Sequence, residues 1–173
     1  MNLELRSKVM RAKDENILYV GRNLVCAGNN IFDTGFAPFS SDNINKDFKI
    51  TIRIKQVTSP KNNNVVLGCK YEGTTGGQQY PGIYLRYYNT TTFDIGGYNY
   101  YRPTIASVVG NNLYIWRESG TYYAQIDGGS RTTLSVRVAT FNQNIVIGAG
   151  IQTNGTPFRY SKCVIDYVRI EYI

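Results

Sequence analysis

The residues best equipped for chemistry in this 173-residue chain are tyrosines spaced two apart and interleaved with arginine. Tyr84, Arg86 and Tyr88 alternate with Ile83, Leu85 and Tyr87, so on a strand they share one face. Tyr98, Tyr100, Tyr101 and Arg102 form the densest aromatic cluster, and Tyr114 and Trp116 again stand two apart. Gln78 and Gln79 in one polar loop, and Asn154 in another, add amides. A tyrosine ring stacks on a sugar face while its hydroxyl hydrogen-bonds, and arginines and amides supply polar contacts of the kind binding sites use. Tyrosine is 15 of the 173 residues, more than a core of this size needs. The same residue types also serve cross-strand packing and protein interfaces, and Trp116 fits a core position. Residue type therefore leaves two partners open, a glycan and another subunit.

Catalytic arrangements are scarce. Glycoside hydrolysis needs two carboxylates about 5–9.5 Å apart. The 12 acidic residues are scattered, and Glu72, Asp94, Glu118, Asp127 and Asp166 each lack an acidic neighbour two positions away. With no histidine, the usual neutral-pH base is missing, and so is every Ser-His or Cys-His nucleophile pair. Carboxylates gathered from distant strands are the remaining route to an enzyme. Calcium prefers six to eight oxygens with several carboxylates. Asp33, Asp42, Asp127 and Asn154 could each contribute, but no D-x-D-x-D run exists and loop capping explains them as well. Cys26, Cys69 and Cys163 are odd in number and widely spaced, which fits neither a disulfide framework nor, without histidine, a zinc site. Cys69 and Cys163 lie in strand-like runs and read as small core residues. No cofactor and no metal is expected.

The elements that would position these side chains are strands. Phe48, Ile50, Ile52 and Ile54 alternate with Lys49, Thr51, Arg53 and Lys55, one face for a core and one for water. Turn signals recur at Ser59–Asn64, Gly110–Asn112, Glu118–Gly120 and Asp127–Gly129. Strand-like runs follow at Thr132–Val138, Ile145–Ile151 and Cys163–Ile173, and Pro103 confines its segment to a sheet edge or strand end. Ten to twelve strands at this turn spacing predict an all-β sandwich or barrel. A chain of this length buries about 70% of its unfolded surface and needs no metal or disulfide. Residues 1–28 differ in character, a mixed-charge stretch before Ile17–Val20, and form either an N-terminal arm or a lead-in strand to the domain at 29–173.

The formal charge of +7 is dispersed: residues 1–22 carry five Lys/Arg against three Asp/Glu, a net of +2. A nucleic-acid reader would cluster its cations along one face or groove, so no nucleic-acid partner is expected. Residues 1–20 contain charges throughout, which predicts no secretory signal and no membrane span, hence synthesis in a cytosol.

Five motifs in order carry a resemblance. Asn30-Ile-Phe-Asp-Thr-Gly35 and Asp47-Phe-Lys-Ile-Thr-Ile open it. Asn112-Leu-Tyr-Ile-Trp with Tyr123-Ala-Gln-Ile-Asp127-Gly128 forms a hairpin ending in an Asp-Gly turn. Asn144-Ile-Val-Ile-Gly148, and Pro157-Phe158 followed by Ile165-Asp-Tyr-Val-Arg-Ile-Glu-Tyr172, complete it. Together, over about residues 29–173, they resemble the concanavalin A-like lectin and glucanase jelly roll, in the laminin-G-like branch of bacterial surface and phage virion proteins. Arg159-Tyr160-Ser161-Lys162 departs from that pattern, which has a glycine after Phe158. The resemblance implies a two-sheet antiparallel jelly-roll sandwich and a non-catalytic carbohydrate-binding or adhesion module. Display on a virion, as a fibre, tail or capsid-decoration protein, would suit a protein assembled in the cytosol and released by lysis. The alternative is a structural virion or scaffold protein, a possible homo-oligomer, whose aromatic face contacts other subunits. A glycoside hydrolase is the third reading. The expected ligand-binding residues are Tyr84, Arg86, Tyr88, Tyr98, Tyr100, Tyr101, Arg102, Trp116, Gln78 and Asn154.

Overall fold

The computed structural model describes residues 15–69, 82–96, 101–151 and 156–173. Its spine is the alternating strand, here β3 (Phe48–Val57), whose Phe48, Ile50, Ile52 and Ile54 are fully buried. Against one side of β3 runs β13 (Lys162–Tyr172), and against the other β7 (Asn112–Glu118). The sheet continues through β8 (Thr121–Ile126) to β9 (Thr132–Leu134), and on the far side of β13 it ends at β1 (Ile17–Ala27). The order is β1-β13-β3-β7-β8-β9, with antiparallel neighbours throughout.

The second sheet has the order β2-β10-β4-β5-β6. Its strands are β2 (Phe32–Asp33), β4 (Val65–Gly68), β5 (Tyr84–Tyr87), β6 (Phe93–Gly96) and β10 (Val146–Ile147). A two-stranded ribbon, β11 (Gly150–Ile151) with β12 (Pro157–Phe158), and one helical turn, α1 (Ile105–Val108), complete the described elements. One apolar cluster takes residues from both sheets: Ile50, Ile52, Leu113, Ile165 and Val168 from the first, Leu67, Leu85, Tyr87, Phe93 and Ile95 from the second. That shared core makes the protein a two-sheet antiparallel jelly-roll sandwich, the all-β fold expected from the alternation and turn spacing.

Local departures have local causes. In β13 the apolar phase slips between Ile165 and Val168, and Asp166 is the extra residue where the register to β3 shifts. This bulge keeps both flanking residues on the core side of the strand. The run expected over Ile145–Ile151 is cut into β10 and β11 at Gly148, whose φ of +99° belongs to glycine. A Cβ there would lie 2.7 Å from the Asn30 carbonyl oxygen, so backbone occupies the space. The run expected over Thr132–Val138 is regular only to Leu134. Ile17–Val20 begins an eleven-residue strand paired with β13.

Strands β4, β5 and β6 are buried on both faces. A sheet covered on one side only by core would expose every second residue. Here the second face holds the charged chemistry.

Candidate functional site

The β5–β6 hairpin builds the site. Its turn is closed by Asn89, whose Oδ1 accepts from the Thr91 N–H and from the hydroxyls of Thr91 and Thr92, at 2.8, 3.0 and 2.8 Å. This Asx-type turn sets the register Tyr84↔Gly96, Leu85↔Ile95, Arg86↔Asp94 and Tyr87↔Phe93. Leu85, Ile95, Tyr87 and Phe93 take the core face, and Tyr87 stacks on Phe93 with centroids 5.0 Å apart. Period two then places Tyr84, Arg86 and Asp94 together on the opposite face.

Residues 101–104 run along the outer side of β6. Tyr101 and Ile95 exchange backbone hydrogen bonds of 2.9 and 3.1 Å, and the Phe93 N–H donates to the Pro103 carbonyl. Pro103, lacking an N–H, sits at a sheet margin as its chemistry requires. Tyr101 packs half-buried against the core, which moves it off the binding face expected for it. Arg102, one residue on, turns to the outer face and reaches Asp94.

The centre is a buried carboxylate held by two guanidinium groups. Asp94 is fully buried. Arg86 donates to its Oδ2 from Nη2 at 2.9 Å and from Nε at 3.3 Å, while Arg102 Nε donates to Oδ1 at 2.7 Å. The Arg86 side chain is 10% exposed and that of Arg102 45%. Each guanidinium also faces a ring: Arg86 lies 5.0 Å from the Tyr84 centroid and Arg102 4.1 Å from that of Tyr88. Asp94 thus accepts from two guanidinium groups at once, one deeply buried and one half-exposed. A buried ion pair is seldom more stable than apolar packing of the same volume. Planar guanidinium forks suit recognition of a carboxylate or phosphate. The half-exposed Arg102 fork beside the exposed Tyr88 ring is a combination chemically suited to an anionic sugar, with the carboxylate on the guanidinium and the pyranose on the ring face.

The expected ligand residues thus fall into two groups. Tyr84, Arg86, Tyr88 and Arg102 come together around Asp94, with Tyr84 nearly buried and Tyr88 43% exposed. Trp116 belongs to the other sheet, on the side of the sandwich away from this cluster. There it pairs with Lys49 and Tyr123 and tilts against the Tyr123 ring at 5.2 Å. Half-buried on that outer face, it is not the core residue its type allowed. On the same face Lys49 lies over Tyr114 at 4.6 Å and Arg131 over Tyr123 at 4.3 Å. Tyr98, Tyr100, Gln78 and Asn154 lie outside the described residues. Asp94 was the member not singled out for binding. Its signal was available, since folding the chain about Asn89–Thr92 puts Arg86 opposite Asp94.

Two of the acids considered for calcium have other work. Asp33 Oδ1 accepts from the Gly35 N–H and from Asn144 Nδ2. Asp127 accepts from the Asn112 N–H, Asn112 Nδ2 and the Tyr114 hydroxyl, at 2.9, 2.9 and 2.8 Å. These bonds hold the Asp127 carboxyl below the ordinary aspartate value, the Asn112 N–H contributing most. The same contact raises the Tyr114 hydroxyl. Among the described residues no group of three or more His, Cys, Asp or Glu side chains could hold a metal ion.

No family model matches the chain, and no curated protein matches it. Solved structures of the same architecture do. One is the carbohydrate-binding module (CBM40) of the Ruminococcus gnavus IT-sialidase bound to alpha2,6 sialyllactose. It has a TM-score of 0.61 and 16% identity over 90% of this chain and 92% of that one. A second is a K499G mutant of the NanB sialidase from Streptococcus pneumoniae, with a TM-score of 0.59 and 15% identity over 91% of this chain and 27% of that one. A third is the leech intramolecular trans-sialidase, with a TM-score of 0.55 and 14% identity over 91% of this chain and 26% of that one. At this identity the likeness is one of fold, a two-sheet β-sandwich.

Proposed function

We propose that the protein is a non-catalytic carbohydrate-binding module that takes an anionic sugar on the outer face of the β5–β6 hairpin. The observation that carries the reading is the Arg86–Asp94–Arg102 cluster flanked by Tyr84 and Tyr88. Arg102 meets the sugar carboxylate and Tyr88 its ring. Arg86 and Asp94, deeper in, fix the direction of the Arg102 fork. Sialyllactose in the fold neighbour from Ruminococcus gnavus supports a carboxylated sugar as the first ligand to try. The sole carboxylate in the described cluster is held by two guanidinium groups, a poor arrangement for a general acid or base, and this favours binding over hydrolysis.

The test is titration calorimetry with sialyllactose and with uronate oligosaccharides, preceded by a glycan array. Wild-type protein binds an anionic glycan. Arg102→Ala, which removes a charge-assisted hydrogen bond of about 1.5–3 kcal/mol, weakens binding roughly 10- to 100-fold. Trp116→Ala leaves it unchanged. A folded sample that binds no anionic glycan, or binds equally well as Arg102→Ala, overturns the reading.

A second reading rests on the aromatic outer face of the six-stranded sheet. Trp116, Tyr123 and Tyr114, with Lys49 and Arg131, have the composition of a subunit contact. In that role the protein is one component of a larger particle such as a virion. Light scattering checks it: an oligomer that dissociates in Trp116→Ala supports the contact, and a strict monomer excludes it.

A further inference from the structure

The three cysteines, of which Cys69 and Cys163 read from their strand-like runs as small core residues, are not equivalent in the folded protein. Cys69 is buried beside β5, where its sulfur accepts from the Ile83 N–H at 3.4 Å. Cys26 and Cys163 stand directly opposite each other on β1 and β13, both as free thiols and both buried. Directly opposed residues of an antiparallel pair have Cα atoms about 4.5–5.5 Å apart, within the range of about 4.4–6.8 Å that a disulfide spans. Ser161 Oγ lies 3.8 Å from the Cys163 sulfur. Gly148, beside β10 of the second sheet, leaves room there: a methyl group in its place would come 3.4 Å from the Cys26 sulfur. The pair therefore stands face to face, one member on an edge strand and the other on its inner neighbour.

We propose that Cys26 and Cys163 form a reversible cross-strand disulfide that fastens the edge strand β1 to β13 when the protein meets a small disulfide oxidant such as oxidised glutathione. One cysteine thiolate attacks the oxidant and expels one glutathione, leaving a mixed disulfide. The second thiolate attacks the protein sulfur of that intermediate and expels the other glutathione. The S–S bond of the oxidant breaks and the protein S–S bond forms. The two protein thiols give up two electrons and two protons, and both appear in two reduced glutathione molecules. Access comes through the end of β1, since Cys26 is the next-to-last residue of that edge strand. That end is held by the Ala27 N–H bonding to Asn30 Oδ1 and Asn30 Nδ2 bonding to the Val25 carbonyl, so the reaction proceeds at the rate at which those bonds open.

The experiment uses the full chain, incubated natively with oxidised glutathione or refolded from denaturant in a glutathione redox buffer. Remaining thiols are then alkylated under denaturing conditions and mapped by mass spectrometry. The proposal expects two of the three thiols to disappear, Cys69 alone to be alkylated, and a Cys26–Cys163 linked peptide to be recovered. The oxidised protein melts at least about 5 °C higher than the reduced one, because the bond closes a long loop. Cys69→Ser retains the effect, whereas Cys26→Ser and Cys163→Ser abolish it. Refolding removes burial as an obstacle, so three alkylatable thiols after refolding overturn the proposal. A bond that includes Cys69 does the same.

Discussion

Replacing Asp94 by asparagine tests the centre of the site most directly. The side chain keeps its volume and one acceptor oxygen but loses its charge, leaving the guanidinium groups of Arg86 and Arg102 facing each other across a neutral amide. Arg102, with 45% of its side chain exposed, recovers much of its hydration. Arg86, with 10% exposed, does not. Removing one partner of a buried pair costs about 3–5 kcal/mol, and the exposure of Arg102 puts this case at about 3 kcal/mol. For a chain of this length that lowers the melting temperature by about 6–12 °C, with the urea midpoint falling in step and its slope unchanged. The companion variant combines Arg86→Met with Asp94→Leu and replaces the pair by apolar volume. It regains most of the lost stability, since apolar replacement of a buried pair is often neutral or better. It binds no anionic glycan, because the fork that directs Arg102 has gone. An Asp94→Asn protein melting within about 2 °C of wild type would refute the claim that this carboxylate holds a buried charge.

Two further substitutions probe the frame. Asp127→Asn weakens the β7–β8 hairpin through the Asn112 and Tyr114 bonds. The folded Asp127 carboxyl lies below its usual 3.8, so the unfolded chain binds the proton more readily and the contribution to stability is present above that value. The stability gap between wild type and Asp127→Asn should therefore be open at neutral pH and close as pH falls through the aspartate range; a gap constant into strong acid would contradict the assignment. Gly148→Ala forces a side chain to a φ of +99° with its Cβ 2.7 Å from the Asn30 carbonyl. It should cost about 1–3 kcal/mol in a urea melt, and no loss would mean that β10 and β11 are not separated by this backbone contact.

Some of this molecule was legible from one-dimensional order. The β3 alternation from Phe48 to Lys55 assigns a core face and a water face without any partner, because side-chain direction repeats every two residues in any strand. The turns at Glu118–Gly120 and Asp127–Gly129 were readable for a similar reason: they use short-range hydrogen bonds and backbone permissiveness that belong to a few consecutive residues. The pairing of Tyr84, Arg86 and Tyr88 on one face followed from the same rule.

Which faces meet was not local information. Trp116 and Arg102 have similar claims as binding residues, yet β7 enters one sheet and residues 101–104 border the other, so no single ligand site joins them. Tyr101 and Arg102 are adjacent, and only the bridge to Ile95 decides that the first packs on the core and the second reaches Asp94. Cys26 and Cys163 are far apart in sequence and become opposite partners because β1 pairs with β13. One-dimensional order was enough for the all-β class and for the core face of β3, since periodicity and turn chemistry act over a few residues, but not for the breaks at Leu134 and Gly148. The charge cluster, the split of the aromatic residues and the thiol pair each depend on strand order and register, which are set by burial of the whole core at once.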